Sequence, residues 1–353
     1  MALPLPFLDG ANRKKRGQLI AVDLGSRTTK AALFERRGEI LALTRYALLD
    51  APIFEKKISP ELLGDHLKSI AEALGNPTKY IVVAVGLEDA MVRQIELPQV
   101  PMDEMRQILK VNHKNYLQQD LPNHVFDCHI IPPKGVTGND KIPKLKVLAA
   151  AAKQQLVDDF MRATHLAGLT PESMVPGLIG PMNAFEQAQP EVFSRDTVAL
   201  VDIGFKHTSV CVLDRGELAL TRVVNIGGDK LTAGLAEAMS ISYAEAEGIK
   251  VGMAPEVEAA LQMQVIPLGR EIRASLDFFE HQQDRTVSQV YVSGASARSE
   301  MIMQMLHSEL LLECKTWSPT GFLQLALPGQ QAVEVEHIGS QLTVVIGAAL
   351  AAF

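Results

Sequence analysis

Short apolar runs alternate with turn residues along this chain, and one such pattern occurs twice. Residues 20–34 read IAVDLGSRTTKAALF, and residues 199–213 read ALVDIGFKHTSVCVL. At an offset of 179 residues the copies align three pairs, Asp23 with Asp202, Gly25 with Gly204 and Thr29 with Thr208. Each copy predicts a buried strand, a tight Asp-x-Gly turn and a second strand. One β-meander is therefore used twice.

The repeat predicts an α/β protein with two related lobes, because each copy opens a stretch of alternating strands and helices. We expect a tail at 1–17, a first lobe at 18–195 and a second lobe at 196–353. The length of 353 residues suits two domains of about 150 residues each.

The first lobe carries a predicted insertion at about residues 91–168, a compact α/β subdomain. The patterns predict a helix at 60–74 and a buried strand at 80–86 ahead of it. Within the insertion, the patterns predict a strand ending at Leu97-Pro98, helices at 103–119 and 153–167, and extended segments at 125–131 and 145–151. The loop at 133–144 is rich in Gly, Asn and Lys and is predicted to be mobile.

The second lobe is predicted to be mainly helical after its meander, with helices at 228–239, 242–252, 257–281 and 300–312. A strand from residue 287 is predicted to end in a tight turn near Gly294. The segment 340–353 is small and apolar, so we expect a buried helix that packs back near the hinge between the lobes.

Composition and charge narrow the function. Lys and Arg total 34 and Asp and Glu total 41, so the net charge of −7 offers no overall field for nucleic acid. Three widely spaced cysteines indicate neither a disulfide framework nor a zinc site. The longest apolar stretch, 344–353, falls short of the about 20 residues that span a bilayer, so no transmembrane segment is expected. The charges at 13–16 follow an apolar piece, the reverse of a secretory signal, and a solvated tail is favoured over a membrane contact.

Two facing Asp-x-Gly turns make physical sense as a phosphate clamp. Turn amides would point at phosphate oxygens, and the carboxylates of Asp23 and Asp202 would hold Mg²⁺ through water. A third glycine turn near Gly294 and a Gly227-Gly228 helix start make the combination more specific. The alternative is that these glycines serve only hairpin turns.

These segments resemble the superfamily of actin, Hsp70, sugar kinases and FtsA. Within it, AVDLGS at 21–26, NIGGDKLT at 225–232 and YAEAEGIK at 243–250 resemble the PilM family of type IV pilus assembly proteins over nearly the whole chain. The resemblance implies the two-lobed actin-like ATPase fold of the ribonuclease H-like class, with the inserted subdomain in the first lobe.

The resemblance also implies a site for ATP or ADP with Mg²⁺. Glu247 and Lys250 would flank the base and ribose, and residues 290–297 would receive the adenosine. The implied nucleotide-binding residues are Asp23, Gly25, Ser26, Arg27, Thr28, Lys30, Asp202, Gly204, Lys206, Thr208, Gly227, Gly228, Glu247, Lys250, Gly294, Ala295 and Ser296.

Three residues depart from the family pattern, Arg27 in the first turn, Phe205 in the second and Ala295 in the adenosine turn. They weaken the expectation of nucleotide binding and, above all, of hydrolysis, although Arg27 and Lys206 alternatively add charge to a phosphate site. The crossover between lobes offers only Asn183, Glu186 and Gln187 to orient a water, so no catalytic residue and no enzymatic turnover are expected. No histidine spacing matches a metal site made of protein ligands.

The expected function is therefore a nucleotide-responsive scaffold. By resemblance, the insertion would dock the tail of a PilN-like inner-membrane protein, with Met105, Ile108, Leu109 and Tyr116 on one helix face as candidate contacts. That stripe could instead pack wholly inside the subdomain. Pilus assembly ATPases are further candidate partners, and the protein would lie in the cytoplasm, peripheral to the inner membrane. The alternatives are an ATP-dependent small-molecule kinase of the same fold and an FtsA-like filament former.

Overall fold

Two large β-sheets and a small one frame the protein in the computed structural model, which describes residues 16–53, 57–131, 144–252 and 257–353. The strands of the first sheet are β1 (Gln18–Asp23), β2 (Thr28–Arg37), β3 (Ile40–Asp50), β4 (Tyr80–Val85), β8 (Thr170–Pro176) and β14 (Gln324–Leu325). Their order across the sheet is β14-β3-β2-β1-β4-β8. The apolar runs of β1 and β4 are buried, as expected for central strands that are covered on both faces.

The second large sheet repeats this arrangement. Its strands are β9 (Thr197–Ile203), β10 (Thr208–Asp214), β11 (Glu217–Val224), β12 (Gln289–Ser293) and β13 (Cys314–Thr316). They lie in the order β11-β10-β9-β12-β13. In both sheets the first strand of the meander pairs antiparallel with the second and parallel with a later strand, β4 or β12. The predicted duplicated meander is confirmed.

The inserted subdomain has a sheet of its own, built from β5 (Ala90–Pro98), β6 (His124–Ile130) and β7 (Lys144–Lys153) in the order β5-β7-β6. Helix α2 (Met102–Leu117) covers this sheet and encloses a separate small core. The helix was predicted unbroken, but it bends at Asn112, whose φ of −118° and ψ of 24° are not helical.

Helices α1 (Pro60–Ala73) and α3 (Gln154–Leu166) pack against each other beside the first sheet. Gly64 of α1 allows the contact, because a side chain there would lie 3.1 Å from the carbonyl oxygen of Ala163. The predicted insertion included α3, whereas the structure places this helix on the first lobe. The reason is its buried face, with Val157 and Phe160, which joins the core of that lobe.

Helices α4 (Gly180–Ala188) and α5 (Pro190–Arg195) connect the two lobes. The second lobe then adds α6 (Gly228–Met239), α7 (Tyr243–Gly252), α8 (Glu258–Gln283) and α9 (Glu300–Leu310). Leu261, Val265, Leu268 and Leu276 recur at helical spacing along α8 and are buried in the core of this lobe.

The C-terminal segment returns to the first lobe. Strand β14 pairs with β3, α10 (Gly329–Ile338) follows, and α11 (Thr343–Ala352) packs against α4, β1 and β4. The predicted second lobe, 196–353, included a last helix that packs back near the hinge; α11 lies against α4, which connects the lobes, and in the core of the first lobe. Gly180 and Gly347 let α4 and α11 approach at backbone contact, because a side chain at Gly347 would lie 2.0 Å from the Gly180 carbonyl oxygen.

Some predictions concern residues outside the described ranges, namely the tail at 1–15 and most of the loop at 133–144. Within the described ranges, no single helix is both long and apolar enough to cross a membrane. Only Gly329–Gln341 and Thr343–Ala352, which meet at 91°, pass that test when taken together.

Candidate functional site

The first Asp-x-Gly turn joins β1 to β2 and places a carboxylate beside an ammonium. Asp23 ends β1, and antiparallel register sets it opposite Lys30. The Lys30 ammonium donates to Asp23 Oδ2 at 3.0 Å. Burial lowers the pKa of Lys30, but the charge and hydrogen bond of Asp23 and the charge of Asp202 outweigh burial and raise it. Carboxylates from both lobes therefore act on one ammonium.

The second turn holds the equivalent carboxylate, Asp202, at the end of β9. Its Oδ1 accepts a 2.6 Å hydrogen bond from Ser293, which lies beside it on the parallel strand β12. Burial raises the pKa of Asp202, and the charge of Asp23 adds to this, while the Ser293 hydrogen bond and the Lys30 ammonium oppose it. The net pKa lies above that of an ordinary aspartate, because burial outweighs the Ser293 hydrogen bond and the Lys30 ammonium.

Helix α6 begins directly on the second turn. The amides of Gly228 and Asp229 donate to the carbonyl oxygens of Gly204 and Phe205, at 2.9 Å each, and the Gly204 amide donates to His207. These bonds fix the turn against the helix. Gly228 also lies where a side chain would sit 3.0 Å from Ser296 Oγ and 3.6 Å from the Lys250 ammonium. The second Asp-x-Gly turn and the expected adenosine segments thus converge on one glycine.

Lys250 and Glu247 form a bonded cluster with Thr232. The Lys250 ammonium, 4% exposed, donates to Thr232 Oγ1 and Glu247 Oε2 at 2.7 Å each and to the Gly228 carbonyl at 3.3 Å. Its three donors are used, so Lys250 holds Glu247 in place rather than offering a bond to a ligand. Burial raises the pKa of Glu247, but the bonds from Lys250 and Thr232 and the charge of Arg27 outweigh burial and lower it.

The Gly294 turn follows β12 with a φ of +93°, a conformation that side chains rarely adopt. Its amide donates to Ser340 at 2.8 Å, which ties the turn to the C-terminal segment. Ala295 and Ser296 begin a short 3₁₀ helix, in which Ala295 is exposed and Ser296 is buried.

The two lobes touch at this site through two side chains. Arg27 lies 3.8 Å from Glu247 Oε1, and its guanidinium carbon lies 5.2 Å from the centre of the Phe205 ring. His207 Nε2 lies 3.1 Å from Glu88 Oε1, in the loop that leads into the inserted subdomain. Two of the three residues that depart from the family pattern, Arg27 and Phe205, therefore meet each other across the cleft.

The remaining predicted site residues differ in their exposure and in their hydrogen-bond partners. Ser26 and Lys206 are exposed at the turns, and Thr28 is half-buried at the start of β2. Thr208 is buried and donates to the Ile226 carbonyl at 2.7 Å, so its hydroxyl has a structural partner. Asn183 is likewise buried and donates to the Gly347 carbonyl at 3.3 Å, which commits it to helix packing.

A hard cation such as Mg²⁺ fits the donor set of Asp23 and Asp202, because carboxylate oxygens are the ligands it prefers. Two carboxylates leave most of its coordination to water and phosphate oxygens. Within the residues that the structure describes, no group of three or more His, Cys, Asp or Glu side chains is placed to hold a metal ion.

The predicted partner-binding stripe on α2 is divided by burial. Met105 and Leu109 are fully buried in the core of the subdomain, which corrects their assignment as contact residues. Ile108 and Tyr116 pack against that core but are partly exposed.

Sequence analysis did not assign four residues that contact the site, Thr232, Tyr243, Ser293 and Glu88. Ser293 could have been found as the residue that precedes the glycine turn, and Thr232 as the residue one helical turn after Gly228. Burial and the hydrogen bond to Asp229 raise the pKa of Tyr243 to about 12, so this phenol stays neutral.

Known proteins share this architecture. A model of the family described as type IV pilus assembly protein PilM matches residues 21–353. A solved PilM-PilN type IV pilus biogenesis complex superposes with a TM-score of 0.80 at 22% identity, covering 95% of this chain and 98% of that chain. MreB5 of Spiroplasma citri bound to ADP gives a TM-score of 0.53 at 11% identity, covering 94% and 95%.

The cell division protein FtsA of Bacillus subtilis is 24% identical over 281 residues, or 74% of this chain. The chain spans 58% of the length of that relative. At these identities the structural matches establish the fold, and they confirm the predicted two-lobed actin-like architecture.

Proposed function

The chain belongs to the family of the type IV pilus assembly protein PilM, and from this membership we propose that it is a nucleotide-binding scaffold of a type IV pilus or type II secretion-like assembly platform. The observation that carries the proposal is the convergence of Asp23 and Asp202 on Lys30 in a chain of this family. Each copy of the meander, one in each lobe, supplies one of the two carboxylates.

The proposed ligand is ATP or ADP with Mg²⁺. Asp23 and Asp202 would hold the metal through water, the turns at Gly25 and Gly204 would face the phosphates, and Gly228 and Ser296 would line the nucleoside side. Bound Mg²⁺ would supply the positive charge that neutralises the phosphates. The ADP complex of MreB5 supports a nucleotide in this fold.

Calorimetry with ATP and ADP, with and without Mg²⁺, tests the site. Asp202→Ala should weaken Mg²⁺-dependent binding by about tenfold or more, because a carboxylate that faces the metal is lost. Asp65→Ala removes an exposed carboxylate from α1 and should change nothing. Absence of binding by the unchanged protein at about 1 mM ligand would mean that Phe205 and Ala295 close the site.

The proposed partner is the cytoplasmic tail of a PilN-like inner-membrane protein, docked where the inserted subdomain meets the first lobe. The protein would then lie in the cytoplasm, peripheral to the inner membrane, with pilus assembly ATPases as further partners. An extended peptide there would gain affinity from main-chain hydrogen bonds and specificity from apolar pockets. The partly exposed Ile108 and Tyr116 remain candidates for such a pocket.

A deletion variant tests this docking. Ala90 and Ala152 pair directly across β5 and β7, so a short Gly/Ser bridge between them can replace residues 91–151. The variant should keep nucleotide binding, which reports that both lobes fold, and should lose binding of a synthetic PilN-like tail. A variant that binds the tail with unchanged affinity would place the docking site elsewhere.

We further propose that the scaffold function does not depend on ATP hydrolysis. Asn183 is committed to packing against α11, so the crossover offers no free amide at that position to orient a water. Turnover above about 1 s⁻¹ would contradict the scaffold proposal. The relation to FtsA makes a filament former the second candidate, which a pelleting assay with nucleotide would test.

A further inference from the structure

Arg27 reaches from the first turn onto three residues of the second lobe. Its guanidinium lies 3.8 Å from Glu247 Oε1, and its central carbon lies 5.2 Å from the Phe205 ring and 5.9 Å from the Tyr243 ring. These partners come from the second turn and from α7. The side chain thus connects the lobes at the place where the phosphate turns face each other.

Each of these contacts is weak. The Arg27 side chain is 45% exposed and that of Glu247 is 31% exposed, and ion pairs between solvent-exposed side chains contribute little to stability. The 3.8 Å separation exceeds a hydrogen bond. The ring contacts of an exposed guanidinium add little to this attraction. An anion that binds the guanidinium more strongly can therefore displace it from Glu247.

Glu247 does not depend on Arg27. Its Oε2 accepts from Thr232 Oγ1 at 2.5 Å and from the Lys250 ammonium at 2.7 Å. When Arg27 leaves, the carboxylate keeps both bonds and stays compensated. The exchange leaves no buried charge without a partner, so it costs little.

A phosphate group is such a better partner. The planar fork of N–H donors in a guanidinium matches the oxygens of phosphate in a bidentate arrangement. The neighbouring cation Lys30 is bonded to Asp23, and the Lys250 ammonium is bonded to Glu247, so both ammonium groups already have carboxylate partners. A polyphosphate in this cleft therefore needs added positive charge near the first turn, and Arg27 is part of that turn.

Resting on the proposed nucleotide site, we propose that Arg27 exchanges Glu247 for the phosphate groups of the bound nucleotide, and that it sets the preference of the site for ligands with more phosphate charge. Arg27 is then a specificity-determining residue rather than only an obstacle. Phe205 and Tyr243 hold the guanidinium near the cleft when Glu247 releases it.

The test compares the Kd values of ATP, ADP and AMP, each with Mg²⁺, for the full-length protein and three variants. Arg27→Gln should weaken ATP about tenfold or more, ADP less, and AMP about twofold at most, because the lost bonds go to phosphate. The ATP affinity of Arg27→Lys should fall between those of the unchanged protein and Arg27→Gln, since lysine keeps the charge but lacks the planar fork of N–H donors. Arg36→Gln removes the same charge at the far end of β2 and should leave all three affinities unchanged.

Thermal unfolding of each variant confirms that it folds. Equal weakening of ATP and AMP by Arg27→Gln would overturn the proposal, because Arg27 would then act on the shape of the cleft and not on phosphate. Unchanged or tighter ATP binding would also overturn it and leave Arg27 as a contact between lobes only. Failure of the unchanged protein to bind any of the three nucleotides removes the proposed nucleotide site itself, a result distinct from the other two.

Discussion

At the scale of single residues, Lys250 holds two helices of the second lobe together. It is buried, and its ammonium bonds Thr232, Glu247 and the Gly228 carbonyl, which join the start of α6 to α7. A buried ammonium is tolerated because each of its donors has an acceptor. The geometry of Glu247 therefore depends on Lys250.

Lys250→Met should lower the free energy of unfolding by about 1–3 kcal/mol, because Thr232 and the half-buried Glu247 lose a charged partner. Lys230→Met, an exposed change on α6, is the matched control and should stay within about 0.5 kcal/mol. Urea unfolding followed by circular dichroism measures both. Equal effects would show that the Lys250 cluster adds no stability.

His66 predicts a pH dependence of stability. Its Nε2 lies 2.8 Å from the buried Thr29 hydroxyl, and burial lowers its pKa. The unfolded chain takes up a proton near the ordinary value of about 6.5, whereas the folded protein does so only at lower pH, so stability falls as pH drops below about 6.5. The loss in urea midpoint between pH 7.5 and 5.5 should be smaller in His66→Gln than in the unchanged protein. An identical loss in both would assign the dependence to other groups.

At the scale of elements, the contact between α4 and α11 decides where the C-terminus packs. Both helices present glycine at the crossing, and a side chain at Gly347 would overlap the backbone of Gly180. The first sheet lies beneath this crossing, so α11 completes the core of the first lobe. A helix of small residues can approach a neighbour this closely, whereas a helix with larger residues cannot.

Gly347→Val should destabilise the protein by about 3 kcal/mol or more, because the backbones of α4 and α11 must separate. Gly329→Ala, at the start of α10, has nothing within 4 Å and should have little effect. Differential scanning calorimetry compares the two variants. A Gly347→Val protein as stable as the control would contradict the packing described for α11.

At the scale of the whole molecule, the inserted subdomain contacts both lobes. Thr221 Oγ1 on β11 donates to the Val92 carbonyl on β5 at 2.8 Å, and Lys146 lies 3.6 Å from Glu217. Strand β11 belongs to the hairpin whose other strand follows the second turn. The subdomain thus contacts the hairpin that follows the second Asp-x-Gly turn.

Thr221→Val should raise amide hydrogen exchange within residues 90–98, because β5 loses its side-chain bond to β11. The global stability should change by only about 0.5–1.5 kcal/mol, the net value of one hydrogen bond. Ser308→Ala, which removes a hydroxyl bond on the distant α9, is the control. Hydrogen exchange is measured by mass spectrometry. If the exchange rates of β5 are the same in both variants and in the unchanged protein, the result contradicts this contact.

Part of the candidate site was predictable from residues alone. Asp23, Asp202, Gly204 and Gly294 stand at strand ends of a repeated pattern, and strand ends of one edge meet in a sheet. The role of Lys250 and the meeting of Arg27 with Phe205 were not predictable. They depend on which faces of separate elements come together, and periodicity does not specify that.

By itself, the sequence determined the duplicated meander and the positions of its turns, because alternation and glycine turns are local properties of the backbone. Only the tertiary structure decided that α3 and α11 join the first lobe and that Arg27 bridges to the second. Those outcomes depend on contacts between residues far apart in the chain, such as Gly180 with Gly347 and Arg27 with Glu247. Distant contacts form where shape and charge fit, and that fit exists only after both lobes have folded.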